Sequence, residues 1–272
     1  MKIAQFYDKD RIRLGIIDAD RLIPIDFQGE MIDFIKNGLD YKLSGSSLPL
    51  SSIQLAPPVT NPSKIVAIGL NYMDHIRESK GEVPESPLIF AKFPSSLIGH
   101  NDWITWDENL TKKVDFEAEL AVIIGKTIHN CPKNEVMKTI FGYTCANDVS
   151  ARDLQFGDGQ WVRGKSLDTF CPLGPWIVTS DDIPDPHSLS IRCWLNGQIM
   201  QDSNTSMMIF KLPELINLIS KNFTLIPGDI ILTGTPHGVG TFRDPPIYMK
   251  EGDEVVVEIE KVGRLVNICR TV

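Results

Sequence analysis

The run Val114-Asp115-Phe116-Glu117-Ala118-Glu119-Leu120-Ala121-Val122-Ile123-Ile124 constrains this chain more than any other stretch. It is β-branched and apolar, carries its acids in the first half and ends at Gly125, so it reads as a strand from Phe116 to Ile124. A strand's two-residue period sets Glu117 and Glu119 on one face and Phe116, Ala118, Leu120 and Val122 on the other. Beyond Ala121 both faces are apolar, the pattern of a strand entering a core with its acidic end at the edge of a cleft. A Glu-x-Glu alone is more often a pair of acids facing water at a sheet margin. A third acid changes that balance. Asp148, in Tyr143-Thr144-Cys145-Ala146-Asn147-Asp148-Val149-Ser150-Ala151-Arg152-Asp153, follows a short apolar run and precedes a polar turn, so it ends a neighbouring strand. Three carboxylates about 4 Å apart repel by about 4 kcal/mol per pair at an effective dielectric of about 20, which only a cation makes tolerable. An all-oxygen set without Cys or His favours a hard ion, Mg²⁺ first, then Mn²⁺ or Ca²⁺. Glu117, Glu119 and Asp148 are the expected metal ligands.

With 272 residues and 42% hydrophobic content, the chain can bury one large core or a main domain beside a small one. A net charge of −8 argues against nucleic acid and anionic membranes as partners, since both need a basic face. An anionic substrate must then be met by a local cluster of Lys and Arg. The five cysteines are odd in number and contain no Cys-x-x-Cys, which fits reduced core thiols and not a disulfide framework or a zinc site. The amino terminus has no apolar segment of the signal-peptide kind and soon meets Asp8, Asp10, Asp18 and Asp20, and no membrane-spanning run appears, so the expected location is cytoplasmic.

Residues 1–60 read as a small N-terminal domain of short strands and a helix near Met31 to Asn37, left through Ser44-Gly45-Ser46-Ser47, Pro57-Pro58 and Asn61-Pro62. Residues 61–272 read as the main domain, with strands at Ile65 to Gly69, Leu88 to Lys92, Trp103 to Thr105, Pro175 to Thr179, Leu189 to Leu195, Asp229 to Thr233, Glu254 to Glu260 and Leu265 to Arg270. The better helices are Asn134 to Ile140 and Leu212 to Ser220. Many strands, many Gly and Pro turns and few helices predict a β-rich α+β fold, not alternating βαβ units.

Three further constellations bear on chemistry. His75 and Glu78 sit three apart on a short helical segment, a spacing that lets a carboxylate hold an imidazole in one tautomer and raise its basicity. Spacing alone favours an ordinary surface pair. Gly69 and Gly81 flank the segment and make it a candidate lid. Arg152, Gln155, Arg163 and Lys165 are the dense basic patch beside Asp148, able to grip a substrate carboxylate, although a solvated loop is an equal reading. The strand into Thr233-Gly234-Thr235-Pro236-His237-Gly238 ends in a turn that can offer N–H groups and the Thr235 hydroxyl, yet lacks the pattern of a phosphate or dinucleotide loop. His100, His129, His187 and His237 have no acid or Cys at ligand spacing and read as structural or exposed. No Gly-x-Ser-x-Gly elbow is present.

Taken in order, Lys64-Ile65-Val66-Ala67-Ile68-Gly69-Leu70-Asn71-Tyr72, Asp115-Phe116-Glu117-Ala118-Glu119-Leu120, Asn147 to Asp153, Gly164 to Pro175 and Ile231 to Pro236 resemble the fumarylacetoacetate hydrolase family over residues 62–272. The resemblance implies a mixed β-sandwich roll, a homodimer, and Mg²⁺ or Mn²⁺ on Glu117, Glu119 and Asp148. It also places the family's lid dyad on His75 and Glu78, and its substrate-binding residues on Arg152, Gln155, Lys165 and Thr235, with Lys165 also among the catalytic residues. The implied enzyme acts on 2-oxo or 2,4-dioxo acids through a metal-stabilised enolate. C–C hydrolysis of an acylpyruvate is the first expectation, and oxaloacetate keto–enol tautomerisation or decarboxylation at the same site is the alternative. A non-catalytic cation or oxo-acid binding protein is the competing class, and a metal-free two-carboxylate glycosidase is weak because it leaves the basic patch without a role.

Overall fold

A computed structural model describes residues 1–37 and 41–272. The main sheet has twelve strands, and its path runs Leu48–Pro49, Arg21–Pro24, Arg11–Asp18, Lys2–Asp8, Cys171–Thr179, Ile140–Asn147, Ala118–Ile124, Ile230–Leu232, Ile65–Gly69 and Leu88–Lys92. A second sheet of five strands runs Gln198–Asn204, Ser190–Leu195, Glu254–Ile259, Gly263–Thr271 and Trp103–Trp106. Both sheets are mixed: Ile230–Leu232 lies parallel to Ile65–Gly69, and Gly263–Thr271 lies parallel to Trp103–Trp106. The β-rich α+β fold expected from the turn-rich sequence is the fold observed, with the mixed sheets that the resemblance implies.

The strand Ala118–Ile124 is buried along its whole length because both of its faces are covered. Leu120, Val122 and Ile124 join Ile191, Val255 and Leu265 in the core between the sheets. Ala121 and Ile123 join Ile3, Phe34 and Ile65 on the other side. Full burial of each such aliphatic side chain is worth about 1.5–3 kcal/mol, so the continuous apolar run anchors the strand in the middle of two cores. A charge at Val122 would have no partner and would break this arrangement. The first 60 residues add to the same sheet: Lys2 pairs with Val178, and the helix Met31–Lys36 sends Met31, Phe34 and Ile35 into the core that holds Ala121 and Ile230.

Several elements differ from the sequence reading. The strand expected from Phe116 begins at Ala118, since Val114–Asp115 leaves the sheet to pair with Ser150–Ala151. Between them the Glu117 N–H donates to Asn147 Oδ1 at 2.9 Å instead of to a ladder carbonyl. Asp148 is preceded by the eight-residue strand Ile140–Asn147, longer than its short apolar run suggests. Asn134 to Ile140 is not an α-helix but a 3-10 turn at Val136–Thr139, where Thr139 Oγ1 donates back to the Val136 carbonyl. The segment after Ala151 forms two short helices, Arg152–Asp158 and Val162–Lys165. They pack so closely that a Cβ on Gly164 would sit 2.7 Å from the Gln155 nitrogen and 2.9 Å from the Ala151 carbonyl oxygen. Gln198–Asn204 is a strand that the sequence reading missed.

Candidate active site

Antiparallel register builds the acidic centre. Ala118 faces Asn147, so Glu117, just before one strand, lies opposite Asp148, just after the other, and the Asp148 N–H donates to the Glu117 carbonyl at 2.9 Å. Glu119 sits one step inside the strand. One carboxylate oxygen from each of Glu117, Glu119 and Asp148 falls within 4.8 Å of the others, and all three residues are buried. The expected metal ligands therefore converge.

Three cations crowd the same centre. Lys165 Nζ lies 2.7 Å from Glu117 Oε2 and 2.8 Å from Asp148 Oδ2. Lys92 Nζ lies 2.6 Å from Asp148 Oδ1 and donates to the Lys165 carbonyl. Arg152 Nη2 lies 2.6 Å from Glu117 Oε1 and 2.8 Å from Asp115 Oδ2, close enough for ion pairing though off the hydrogen-bond line. Burial pushes the Glu117 carboxyl up, but Lys165 and Arg152 more than reverse this and hold it down at about 2. Burial, then Asp148 and Glu117, push the Glu119 carboxyl well above the usual range. Burial works against the Lys165 ammonium, and Asp148 and Glu117 overcome it, so its pKa is raised.

These facts test the metal. Four buried acids, Asp115, Glu117, Glu119 and Asp148, meet three buried cations, Lys92, Arg152 and Lys165. Among the described residues no cation pairs with Glu119, whose Oε2 accepts only the Gly234 N–H at 2.7 Å. A buried carboxylate without a counter-charge is what a divalent cation would relieve, and the donors are all oxygen, so the residues fit a hard ion.

The dyad lies on the same cavity. On the helix Met73–Ser79, His75 Nδ1 is 3.2 Å from Glu78 Oε2, and the other oxygen, Oε1, accepts the Gly238 N–H at 2.8 Å. Asp74 ties the helix down further by accepting from Ser203 Oγ at 2.5 Å. His75, Glu117, Glu119, Arg152, Gln155, Lys165 and Thr235 line one cavity of about 70 Å³ with Phe90, Phe156, Trp161 and Phe242. Arg152 Nη1 donates to Gln155 Oε1 at 3.0 Å, and Thr235 Oγ1 accepts from Gln201 Nε2 at 2.9 Å. Larger grooves of about 560 and 620 Å³ lie elsewhere, without converging buried acids. All the expected site residues line this cavity except Glu78, which lies behind His75, and Asp148, which lies within the acid cluster.

One member of the expected basic patch is not brought in. Arg163 pairs with Asp158 at the surface, because its short helix turns Lys165 inward and Arg163 outward. Two site residues escaped the sequence reading. Asp115 shares the parity of Glu117 and Glu119, so the two-residue period could have found it. Lys92, fully enclosed at the end of Leu88–Lys92, carried no comparable signal. Of the remaining histidines, His100 accepts the Val266 N–H, His187 accepts the Leu212 N–H, His129 is exposed and His237 is half-buried. All five cysteines are buried free thiols.

Residues 64–270 match the model of the fumarylacetoacetate (FAA) hydrolase C-terminal family. A Rattus norvegicus protein named oxaloacetate tautomerase Fahd2a, mitochondrial, is 46% identical over 262 residues, spanning 93% of this chain and 83% of the relative. The solved fumarylacetoacetate hydrolase of Exiguobacterium antarcticum is 35% identical with a TM-score of 0.91, covering 100% of each chain. The 5-carboxymethyl-2-hydroxymuconate delta-isomerase of Mycobacterium smegmatis is 36% identical with a TM-score of 0.85, again over 100% of each chain. Sequence, fold and site agree: the chain belongs to the fumarylacetoacetate hydrolase family.

Proposed function

We propose that this protein is a divalent-metal-dependent enzyme that interconverts the keto and enol forms of oxaloacetate or a closely similar small 2-oxo diacid. The observation that carries the reading is the 46% identity, over 93% of the chain, to a relative named for that reaction. The cavity supports it. Its buried acids lie beside Arg152, Gln155 and Lys165, the groups that a metal-bound small oxo diacid would meet. This reverses the order expected from sequence, which put acylpyruvate hydrolysis ahead of tautomerisation.

Glu117, Glu119 and Asp148 would hold Mg²⁺, with Mn²⁺ or Ca²⁺ compatible with the same oxygen donors. When bound, the cation supplies Lewis-acid stabilisation of negative charge on the 2-oxo oxygen. Arg152 and Gln155 orient the substrate's carboxylate groups, and the Thr235 hydroxyl offers a further hydrogen bond. Glu78 accepts a hydrogen bond from the His75 Nδ1–H, which leaves Nε2 as the basic nitrogen. His75 Nε2 takes a proton from C3 as the C3–H bond breaks and the C2–C3 double bond forms, and the resulting imidazolium gives that proton up to the 2-oxo oxygen, directly or through water, which completes the enol and restores the neutral imidazole. Lys165, charged and held between Glu117 and Asp148, fixes both carboxylates and adds positive charge to the site.

The test is to add enol-oxaloacetate to the Mg²⁺-loaded protein and follow the enol absorbance, with CO₂ release and cleavage of a panel of acylpyruvates measured in parallel. Enol decay well above the spontaneous rate, abolished by chelation, is expected. Acylpyruvate cleavage without any acceleration of enol decay would put hydrolysis back in first place; no turnover in any arm would favour the non-catalytic binding protein. The cytoplasmic location and the homodimer belong to the same proposal, and fractionation and sedimentation test them. No described helix is long and apolar enough to cross a membrane.

A further inference from the structure

We propose that Asp115 is a positioning residue that aims Arg152 at the substrate and, through the Gly240–Phe242 turn, sets the wall behind the His75–Glu78 dyad. The inference rests on the reading of Arg152 as substrate anchor and His75 as base. Asp115 is fully buried, lies outside the group that can hold a metal, and does not line the cavity. Its carboxylate is nevertheless crowded with donors. Oδ1 accepts from the Phe116 N–H at 2.9 Å and the Gly240 N–H at 2.8 Å. Oδ2 accepts from the Thr241 N–H at 3.0 Å and Arg152 Nε at 2.8 Å, with Arg152 Nη2 also at 2.8 Å.

Every one of these partners is a donor, so the position needs a group that only accepts. An amide of the same shape would turn an NH₂ toward either the turn or the guanidinium and leave one side unsatisfied. The two sides serve different halves of the site. On one, Asp115 fixes Nε and Nη2 of Arg152, leaving Nη1 to reach Gln155 on the cavity wall. On the other, it seats a turn with no slack, since a Cβ on Gly240 would lie 1.8 Å from the Ile247 carbonyl oxygen and 2.7 Å from Asp115 Oδ1. That turn carries Phe242, whose ring centre is 5.7 Å from that of His75, and it is separated by Val239 alone from Gly238, which donates to Glu78. An ion pair serving stability alone would not need both connections.

The test compares Asp115→Asn, Arg152→Lys and the double variant in the Mg²⁺-loaded full chain. Each single change is expected to lower kcat/KM for oxaloacetate tautomerisation by about 30- to 100-fold, the range for losing a charged buried hydrogen bond. Arg152→Lys should act mainly on KM, whereas Asp115→Asn should raise KM and lower kcat, because it also loosens the turn. The double variant should fall no more than about threefold below the worse single variant, since the two residues act as one unit. Amide exchange across residues 238–243 should accelerate in Asp115→Asn and not in Arg152→Lys. Additive losses, or unchanged exchange in the turn, overturn the proposal. Should Asp115→Asn fail to fold, Thr241→Pro removes one donor from the turn side: lowered kcat with KM retained supports the proposal, and unchanged kcat overturns it. If the unsubstituted protein turns over no oxaloacetate, the proposed function fails by itself and the exchange measurement decides the positioning role.

Discussion

Glu119→Gln should have opposite effects on the metal-free and metal-loaded protein. Glu119 is buried, unpaired by any described cation, and within 4.8 Å of both Glu117 and Asp148. Two charged carboxylates at that separation would repel by about 3.5 kcal/mol at an effective dielectric of about 20, so Glu119 costs folding free energy above the ordinary Glu range whether it stays charged or takes up a proton. Lys92, Lys165 and Arg152 already offset much of that charge, so the net relief from a neutral amide is smaller, about 1–3 kcal/mol. The metal-free variant should melt a few degrees above the metal-free parent at pH 8, at about 2–4 °C per kcal/mol for a chain of this size class. The pH dependence follows from the raised Glu119 carboxyl. Above the ordinary Glu range the native state holds a proton that the unfolded chain has released, so metal-free stability declines as pH rises toward the raised folded value. The variant should lack that decline. In the parent, Mg²⁺ at a hundred times its Kd should add about 2.7 kcal/mol, raising Tm by about 5–10 °C. Glu119→Gln should lose most of this shift. Thermal melts with and without Mg²⁺ from pH 5 to 9 measure all of these effects. A variant that melts lower when metal-free yet keeps the full Mg²⁺ shift would refute the assignment of Glu119 as the unpaired metal acid.

Three other outcomes follow from the same geometry. His75→Ala should lower kcat by about 10²- to 10⁴-fold with Tm and Mg²⁺ response unchanged, the range for losing a general base; stopped-flow enol decay measures it, and retained kcat would remove His75 from the proton path. Lys92→Met leaves Asp148 without its inner cation and should cost about 3–5 kcal/mol, seen by denaturant unfolding as a lower midpoint at unchanged slope. Without metal, the buried acids leave the buried cations no net positive charge to spare, so oxaloacetate, a dianion, should bind only after Mg²⁺. Calorimetry showing equal affinity in EDTA would contradict that order.

The sheet and the acids were legible because both are written in a two-residue period. The alternation at Glu117 and Glu119, and the apolar run to Ile124, sufficed to place a strand and its charged end. The same period reached as far as Asp115, but nothing in sequence separates an acid that binds metal from one that aims an arginine. That distinction comes from the Gly240–Phe242 turn, more than a hundred residues away. The helices Arg152–Asp158 and Val162–Lys165 were hidden for a related reason. Gly157, Asp158 and Gly159 are poor helix residues, and the segment holds its shape by packing through Gly164, not by propensity. Arg163 therefore looked equivalent to Lys165 until the helix turned one outward and the other inward.

Charge explains why these particular residues had to be found together. A chain of net charge −8 cannot attract a dianion with its surface as a whole, so binding depends on local cations. Yet Lys92, Arg152 and Lys165 are already committed to Asp148, Glu117 and Asp115, which leaves little net positive charge for a substrate. A divalent ion on Glu117, Glu119 and Asp148, displacing the proton that the raised Glu119 carboxyl holds, changes the local balance from near neutral to one positive charge, and the same lysines and arginine then face a substrate with charge to spare. On this reasoning the basic patch and the metal carboxylates form one electrostatic unit: neither the acids nor the cations would be tolerable in the core without the other, and only the loaded set can hold an oxo diacid.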